Sequence, residues 1–364
     1  MVANLTTIVC SPIASTRTFL AICYRLPIRI LRNIILRIQG RDPGTSLWLA
    51  VSTSFFSASL DYNWPLVLVR PRWIGRYDGL AFPPEGAKPN VGFEGFLYVN
   101  EKLKALATQP TLDGSDALWI HAHGGGFKMG EARQYHTTYQ RWIRTALEDY
   151  GLDLRILAVE YPLSTTKPYP ANMLSMYSAY KYCIDCGYPS DKIFLVGDSA
   201  GGNLAISTTY HVLENLPNNM PAATMMLSPW MDLAQEHTAH SPNQSTDWLT
   251  TFDDESTRTD CIDVYCGPTI KSRGDPRVSP LRRESLRGLP PQYISAGRAE
   301  VLFTDSKMWA DRCEQELGRD MVETHFPDGQ VHIFQIGGWL ASTKVEAESD
   351  RSILSFIKRH VSEK

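Results

Sequence analysis

The sequence predicts an α/β fold, a mostly parallel sheet with helices on both faces and a helical cap. Three observations carry this reading. From position 117 onward, short apolar strand-like runs alternate with helical stretches, the pattern of a parallel sheet buried on both sides. Polar, irregular sequence over about 235–285 breaks that rhythm, as an insertion across one end of the sheet would. The chain has 364 residues, 43% hydrophobic and 21% charged, enough to bury a large core without disulfides or metal.

The elements follow in order. Up to position 41 there are six arginines and no acid. Between Phe19 and Ile38 the apolar residues fall at helical spacing, with Arg25, Arg29 and Arg32 on the opposite face and Pro27 as a kink. This basic amphipathic helix is too charged to span a bilayer and lacks the features of a secretory signal. Three readings stay open: part of a lid over the main domain, a membrane-surface anchor through residues 17–38, or an organelle transit peptide. The expected division is an N-terminal cap segment over 1–62 and a main α/β domain over 63–364, in a cytoplasmic protein with possible peripheral membrane contact. WPLVLVRPRW (64–73) and GFEGFLYVN (92–100) read as an antiparallel pair. Strands are then expected at 117–122, 154–161, 192–197, 223–228, 292–297 and 322–326. Helices are expected near 136–150, 172–187, 200–214, 303–317 and 345–361.

Composition narrows the function. A net charge of −3 gives no reason to expect a nucleic-acid partner. Seven scattered cysteines argue for a reducing compartment rather than a disulfide framework. Cys183 and Cys186 form a CxxC inside a helical pattern, with no second pair at ligand spacing, and read as packing cysteines.

The chemistry concentrates in two glycine-rich stretches. IHAHGGGFKMG (120–130) places three glycines at the end of an apolar strand. A phosphate cradle, a metal site using the two histidines, or a pocket of backbone N–H groups for an oxyanion could each require them. No GK[ST] follows and no third ligand has convincing spacing, so the oxyanion pocket is the expectation. FLVGDSAGGNLAI (194–206) holds Gly197-Asp198-Ser199-Ala200-Gly201 between a strand and a helix. A serine on such a turn stands clear of the sheet, and the small residues around it let the turn close. A serine hydroxyl needs a base, and the base an orienting group. Glu300 lies directly beyond one strand and His332 in the loop after the next. Asp305, opening a helix, reads as a cap rather than the acid, and His325, inside a strand, as structural.

HGGGF, GDSAGGN, the G-x-x-E-x-L of 297–302 and the G-x-x-H-x-F of 329–334 resemble the hormone-sensitive lipase-like branch of the α/β-hydrolases. EYPLSTTKPYPA (160–171), LSPWMDL (227–233) and DPRVSPL (275–281) agree, so the resemblance covers roughly residues 90–340. It implies the α/β-hydrolase fold, with Ser199 as nucleophile, His332 as base and Glu300, where most members carry aspartate, as acid. It implies an oxyanion hole from the N–H groups of Gly125, Gly126 and Ala200. His123, Gly124, Gly197, Asp198 and Gly201 are then structural parts of the motifs. The long hydrophobic lead also resembles that of fungal steryl acetyl hydrolases.

The expected activity is that of a serine carboxylester hydrolase on a lipophilic, short-acyl ester, through an acyl-enzyme, with no metal or cofactor. Activity is expected to decline below about pH 6.5, where an ordinary histidine protonates. Phe127, Trp230 and Met231 are candidates for lining the pocket, with core packing as the other reading for Trp230 and Met231. Two alternatives are a non-hydrolytic enzyme of a natural-product pathway on the same fold, and a small-molecule receptor on a disused scaffold.

Overall fold

The structure is a computed structural model that describes residues 79–83, 92–100, 112, 114–249, 255–338 and 340–362, with 27, 30, 31, 34 and 35. Most of the expected cap segment 1–62, and all of 64–73, lie outside the described residues.

Eight strands form one sheet in the order β1-β2-β4-β3-β5-β6-β7-β8. They are β1 (Leu80–Phe82), β2 (Gly95–Tyr98), β3 (Ala117–Ala122), β4 (Leu154–Val159), β5 (Ile193–Asp198), β6 (Ala223–Leu227), β7 (Gln292–Ser295) and β8 (Val322–His325). From β4 to β8 every neighbouring pair is parallel. Six longer helices are described: α1 (His136–Tyr150), α2 (Ala171–Asp185), α3 (Ala200–Asn215), α4 (Glu255–Cys266), α5 (Phe303–Glu316) and α6 (Thr343–Ser362). The mostly parallel sheet and its covering helices match the expectation, and α4 lies within the expected insertion.

The described antiparallel neighbours of β2 are β1, with Leu80 opposite Leu97, and β4, with Gly95 opposite Val159. The expected partner, 64–73, lies outside the described residues. The three-residue β1 is too short to show any periodicity in the sequence.

Alternation within each strand divides the core between the two faces. Leu118, Ile120 and Ala122 of β3 join α2 and α3 through residues such as Met176 and Leu204. Ala117 and Trp119 point the other way, towards Trp142 of α1 and Ile353 and Phe356 of α6. Trp119 and Trp142 meet edge to face at 5.1 Å, a favoured aromatic geometry. Arg141 makes a two-pronged pair with Asp350 and also donates to the carbonyls of Gln335 and Ile336. Helices α1 and α6 thereby fix the chain just beyond His332. In the CxxC, Cys183 is buried as expected for packing, whereas Cys186 is exposed at the end of α2, and both are unbridged.

Candidate active site

Parallel strands end at one edge of a sheet, and the loops leaving that edge are where such folds bind ligands. Ser199 is the single residue between β5 and α3, with φ 54° and ψ −120°. For a non-glycine residue this is a strained conformation, costing on the order of 1–3 kcal/mol, and it persists only when its surroundings hold it. Here the Ser199 N–H donates to Leu227 O at 2.9 Å, and its carbonyl accepts from Trp230 N at 3.0 Å. At Gly201 a Cβ would collide with the carbonyl of Ala122, so only glycine lets α3 start this close to β3.

The loop leaving β3 lies against this turn. Gly124 N–H donates to Asp198 Oδ1 at 3.0 Å, and Tyr135 O–H to Asp198 Oδ2 at 2.7 Å. A Cβ on Gly124 would stand 3.1 Å from Ser199 Cβ. Gly125 has φ 123°, and a side chain there would strike the Met129 carbonyl. Among the described residues the N–H groups of Gly125, Gly126 and Ala200 have no protein acceptor, whereas that of Gly124 is committed to Asp198. His123 is fully buried, stacks on Tyr161 at 4.3 Å and holds the Gly124 carbonyl through Nδ1 at 2.7 Å. Burial pushes its pKa down to about 4, so it is a neutral bracket for the loop.

His332 Nε2 lies 3.0 Å from Ser199 Oγ. Its ring is buried, and desolvation pushes its pKa down to about 3. Nδ1 faces Glu300 Oε2 at 3.9 Å, beyond hydrogen-bond range. Glu300 Oε2 is occupied instead by Ser228 O–H at 2.7 Å and Gly297 N–H at 3.2 Å. Glu300 Oε1 and His332 Nδ1 are both buried without a partner. Burial first, and the charge of Asp247 second, hold the Glu300 carboxyl well above the usual carboxylate range.

These contacts place Ser199, His332 and Glu300 together 133 and 32 residues apart along the chain. Residues 119–336 match the family described as alpha/beta hydrolase fold. The chain belongs to the α/β-hydrolases. Its place in the hormone-sensitive lipase-like branch is carried by relatives and by solved structures. An esterase of Acinetobacter venetianus is 31% identical over 246 residues, 67% of this chain and 73% of that protein. An acetyl-hydrolase of Streptomyces hygroscopicus is 31% identical over 62% of this chain and 69% of its own. The crystal structure of a hormone-sensitive lipase from a metagenome library superposes with a TM-score of 0.60 at 25% identity, over 75% of this chain and 82% of that one.

Other expected residues of this α/β-hydrolase fall in several places. Phe127 stacks on Tyr265 of α4 at 3.6 Å and on Trp230 at 5.9 Å, beside the glycine loop. Met231 is not part of that cluster. It is fully buried among Ile206, Leu281 and Trp309, in line with the core-packing reading that stands open beside the pocket one. Asp305 caps nothing: it sits in the first turn of α5, buried, with neither carboxylate oxygen hydrogen-bonded. His325 lies in β8, as its strand pattern suggested, with Nδ1 3.3 Å from Ser295 Oγ. Sequence reasoning passed over Ser228, whose hydroxyl joins Glu300 to the Ile333 N–H at 3.0 Å, and over Asp247 and Trp248. Ser228 stands in the LSPW run, but nothing local marks its side chain as different from a turn serine.

The glycine loop depends on the Asp198 carboxyl. Asp198→Ala is expected to lower kcat/KM about tenfold or more and stability by about 1–3 kcal/mol, since a buried N–H and a buried O–H lose their acceptor. Ester turnover and urea unfolding measure the two effects.

Proposed function

We propose that this protein, a carboxylic ester hydrolase, works through Ser199 as nucleophile, His332 as general base and Glu300 as the group that orients the imidazole. The observation that carries the reading is the 3.0 Å contact between His332 Nε2 and Ser199 Oγ at a strained strand-to-helix turn. Ser199 Oγ attacks the ester carbonyl while its proton passes to Nε2. The carbonyl oxygen becomes an oxyanion received by the free N–H groups of Gly125, Gly126 and Ala200. Collapse of this intermediate breaks the bond to the alkoxy group, which leaves as the alcohol with the proton from Nε2. Water, giving its proton to the same nitrogen, then attacks the acyl-serine; the bond to Ser199 Oγ breaks, Oγ takes the proton back from Nε2, and the acid is released. As the imidazolium forms, a small rotation of Glu300 brings its unpartnered oxygen to Nδ1–H.

The substrate reading is a lipophilic ester with a short acyl group. Its support is the aromatic cluster of Phe127, Trp230 and Tyr265 beside the serine, together with the acetyl-hydrolase among the relatives. On p-nitrophenyl esters from acetate to palmitate, turnover is expected to fall steeply with acyl length. Ser199→Ala is expected to reduce it by about 10⁴-fold or more. Residual turnover near wild type in that variant would remove the serine mechanism.

Burial sets the pH range. A histidine ordinarily titrates near 6.5, and desolvation pushes His332 down to about 3. The neutral base therefore persists below the pH expected from sequence, and the acid limb of kcat/KM is expected below 6.5. A limb at or above 6.5 would mean that the carboxylate charge outweighs burial.

The reading also includes contact with an anionic membrane surface. Leu31, Ile34 and Ile35 are helical and 58%, 41% and 42% exposed, in a stretch of six arginines without an acid. The full chain is expected to sediment with phosphatidylserine-containing vesicles and to be released by salt or by Leu31→Asp with Ile34→Asp. Protein left in the supernatant at low salt would discard this part.

A further inference from the structure

Asp247 belongs to the polar insertion, yet it is fully buried, and the segment around it is directed at the two turns that carry Glu300 and His332. Asn243 Nδ2 donates to the carbonyls of Arg298 and Glu300, both at 2.9 Å. Thr246 O–H donates to Ala299 O at 3.0 Å. Asp247 Oδ2 accepts from Val301 N–H at 2.8 Å, and Oδ1 accepts from His332 N–H at 3.1 Å and Trp248 N–H at 2.8 Å. Trp248 Nε1–H then donates to His332 O at 2.8 Å. Both backbone polar groups of His332 are thus held by adjacent residues of the insertion, and the peptide units flanking Glu300 by the same segment.

We infer that Asp247 is a positioning residue for catalysis: one carboxylate, by accepting from the backbone of the turn after β7 and of the turn after β8, sets Glu300 and His332 relative to each other. The inference rests on the catalytic reading of Ser199, His332 and Glu300 above.

A carboxylate suits this position because both oxygens accept and neither donates. In Asp247→Asn one oxygen becomes an NH₂ facing a backbone N–H, so one of the two turns loses its anchor while side-chain volume is unchanged. The charge acts as well. Asp247 opposes ionisation of Glu300. The other titratable group facing Glu300 is His332 at 3.9 Å, and the nearby Arg298 and Asp328 pair with each other at the surface. Burial pushes the Asp247 carboxyl itself up to about 6, so above that pH it is an anion. Removing that anion lets Glu300 ionise at lower pH and withdraws stabilisation from a protonated His332, and both effects extend the active form towards acid.

The test compares wild type, Asp247→Asn and Asp247→Glu in p-nitrophenyl acetate turnover across pH, with circular dichroism as the folding control. The expected result for Asp247→Asn is a kcat lower by about 10- to 100-fold, KM within about threefold, and an acid limb displaced to lower pH. Asp247→Glu, which keeps the charge, is expected to return the limb to its wild-type position and recover part of kcat. Should the Asn variant not fold, Asn243→Ala replaces it, with kcat expected to fall and the limb to stay. An unchanged kcat in the folded variants overturns the inference, as does a loss of kcat in Asp247→Asn with an unmoved limb and no recovery in Asp247→Glu. Failure of the catalytic reading is seen separately, as turnover surviving in Ser199→Ala.

Discussion

Desolvation governs this sheet edge: Glu300 is 0% exposed, His332 1% and Ser199 9%, so water stabilises none of their charges. A buried charge without partners is among the costliest features a fold can hold, and a group in that position tends to neutralise. One cause therefore acts in opposite directions on the two titrating groups, raising the carboxyl of Glu300 and lowering the imidazole of His332. In the proposed mechanism the resting site is then poorly served for charge, and charge appears at Nδ1 and at the oxyanion only as Ser199 attacks. Interactions that strengthen at that moment lower the barrier, whereas interactions equal in both states do not.

Backbone strain follows the same geography. The non-glycine residues with positive φ among those described are Phe127, Ser199, Ser228, Gln235 and Ile333. Four of them adjoin the site: Phe127 follows the glycine loop, Ser228 holds Glu300, and Ile333 follows His332. Each is tied by a specific bond, as Phe127 O is to Ser164 N–H at 2.9 Å and Ile333 N–H is to Ser228 Oγ at 3.0 Å. Such conformations survive only where neighbouring structure over-determines them, which accounts for the density of hydrogen bonds around side chains that make no bond to the serine.

Much of this was legible in the sequence, for a physical reason. Strands β3 to β6 are largely apolar runs because both faces of a parallel sheet are covered, so their positions show within a residue or two. Ser199 and the glycines are legible because close backbone approach excludes side chains, a constraint written locally. Glu300 and His332 could be read from strand ends and motif order. Asp247 could not: SPNQSTDWL has the composition of any polar loop, and its task is defined wholly by residues 54 and 85 positions away. Met231 stayed open between two readings for a related reason, since an apolar residue beside a strand end can face pocket or core, and only packing decides. Strand β1 was missed because three residues cannot display a period.

The insertion and the strand ends meet at both sides of the serine. On the side of the glycine loop, the contact is the stack of Phe127 on Tyr265, which joins that loop to α4. On the side of His332, it is the set of bonds from Asn243 to Trp248. In the proposed mechanism the strand ends supply the reacting groups while the insertion fixes their angles. The insertion also contributes to the core, with Ile262, Tyr265 and Ile270 in the same buried cluster as Ile120 and Leu195. In the turns carrying Glu300 and His332, several backbone groups find their acceptors and donors in the insertion. Changing the insertion to admit another substrate would thus also alter the alignment of the imidazole, unless the residues holding the two turns were kept in register.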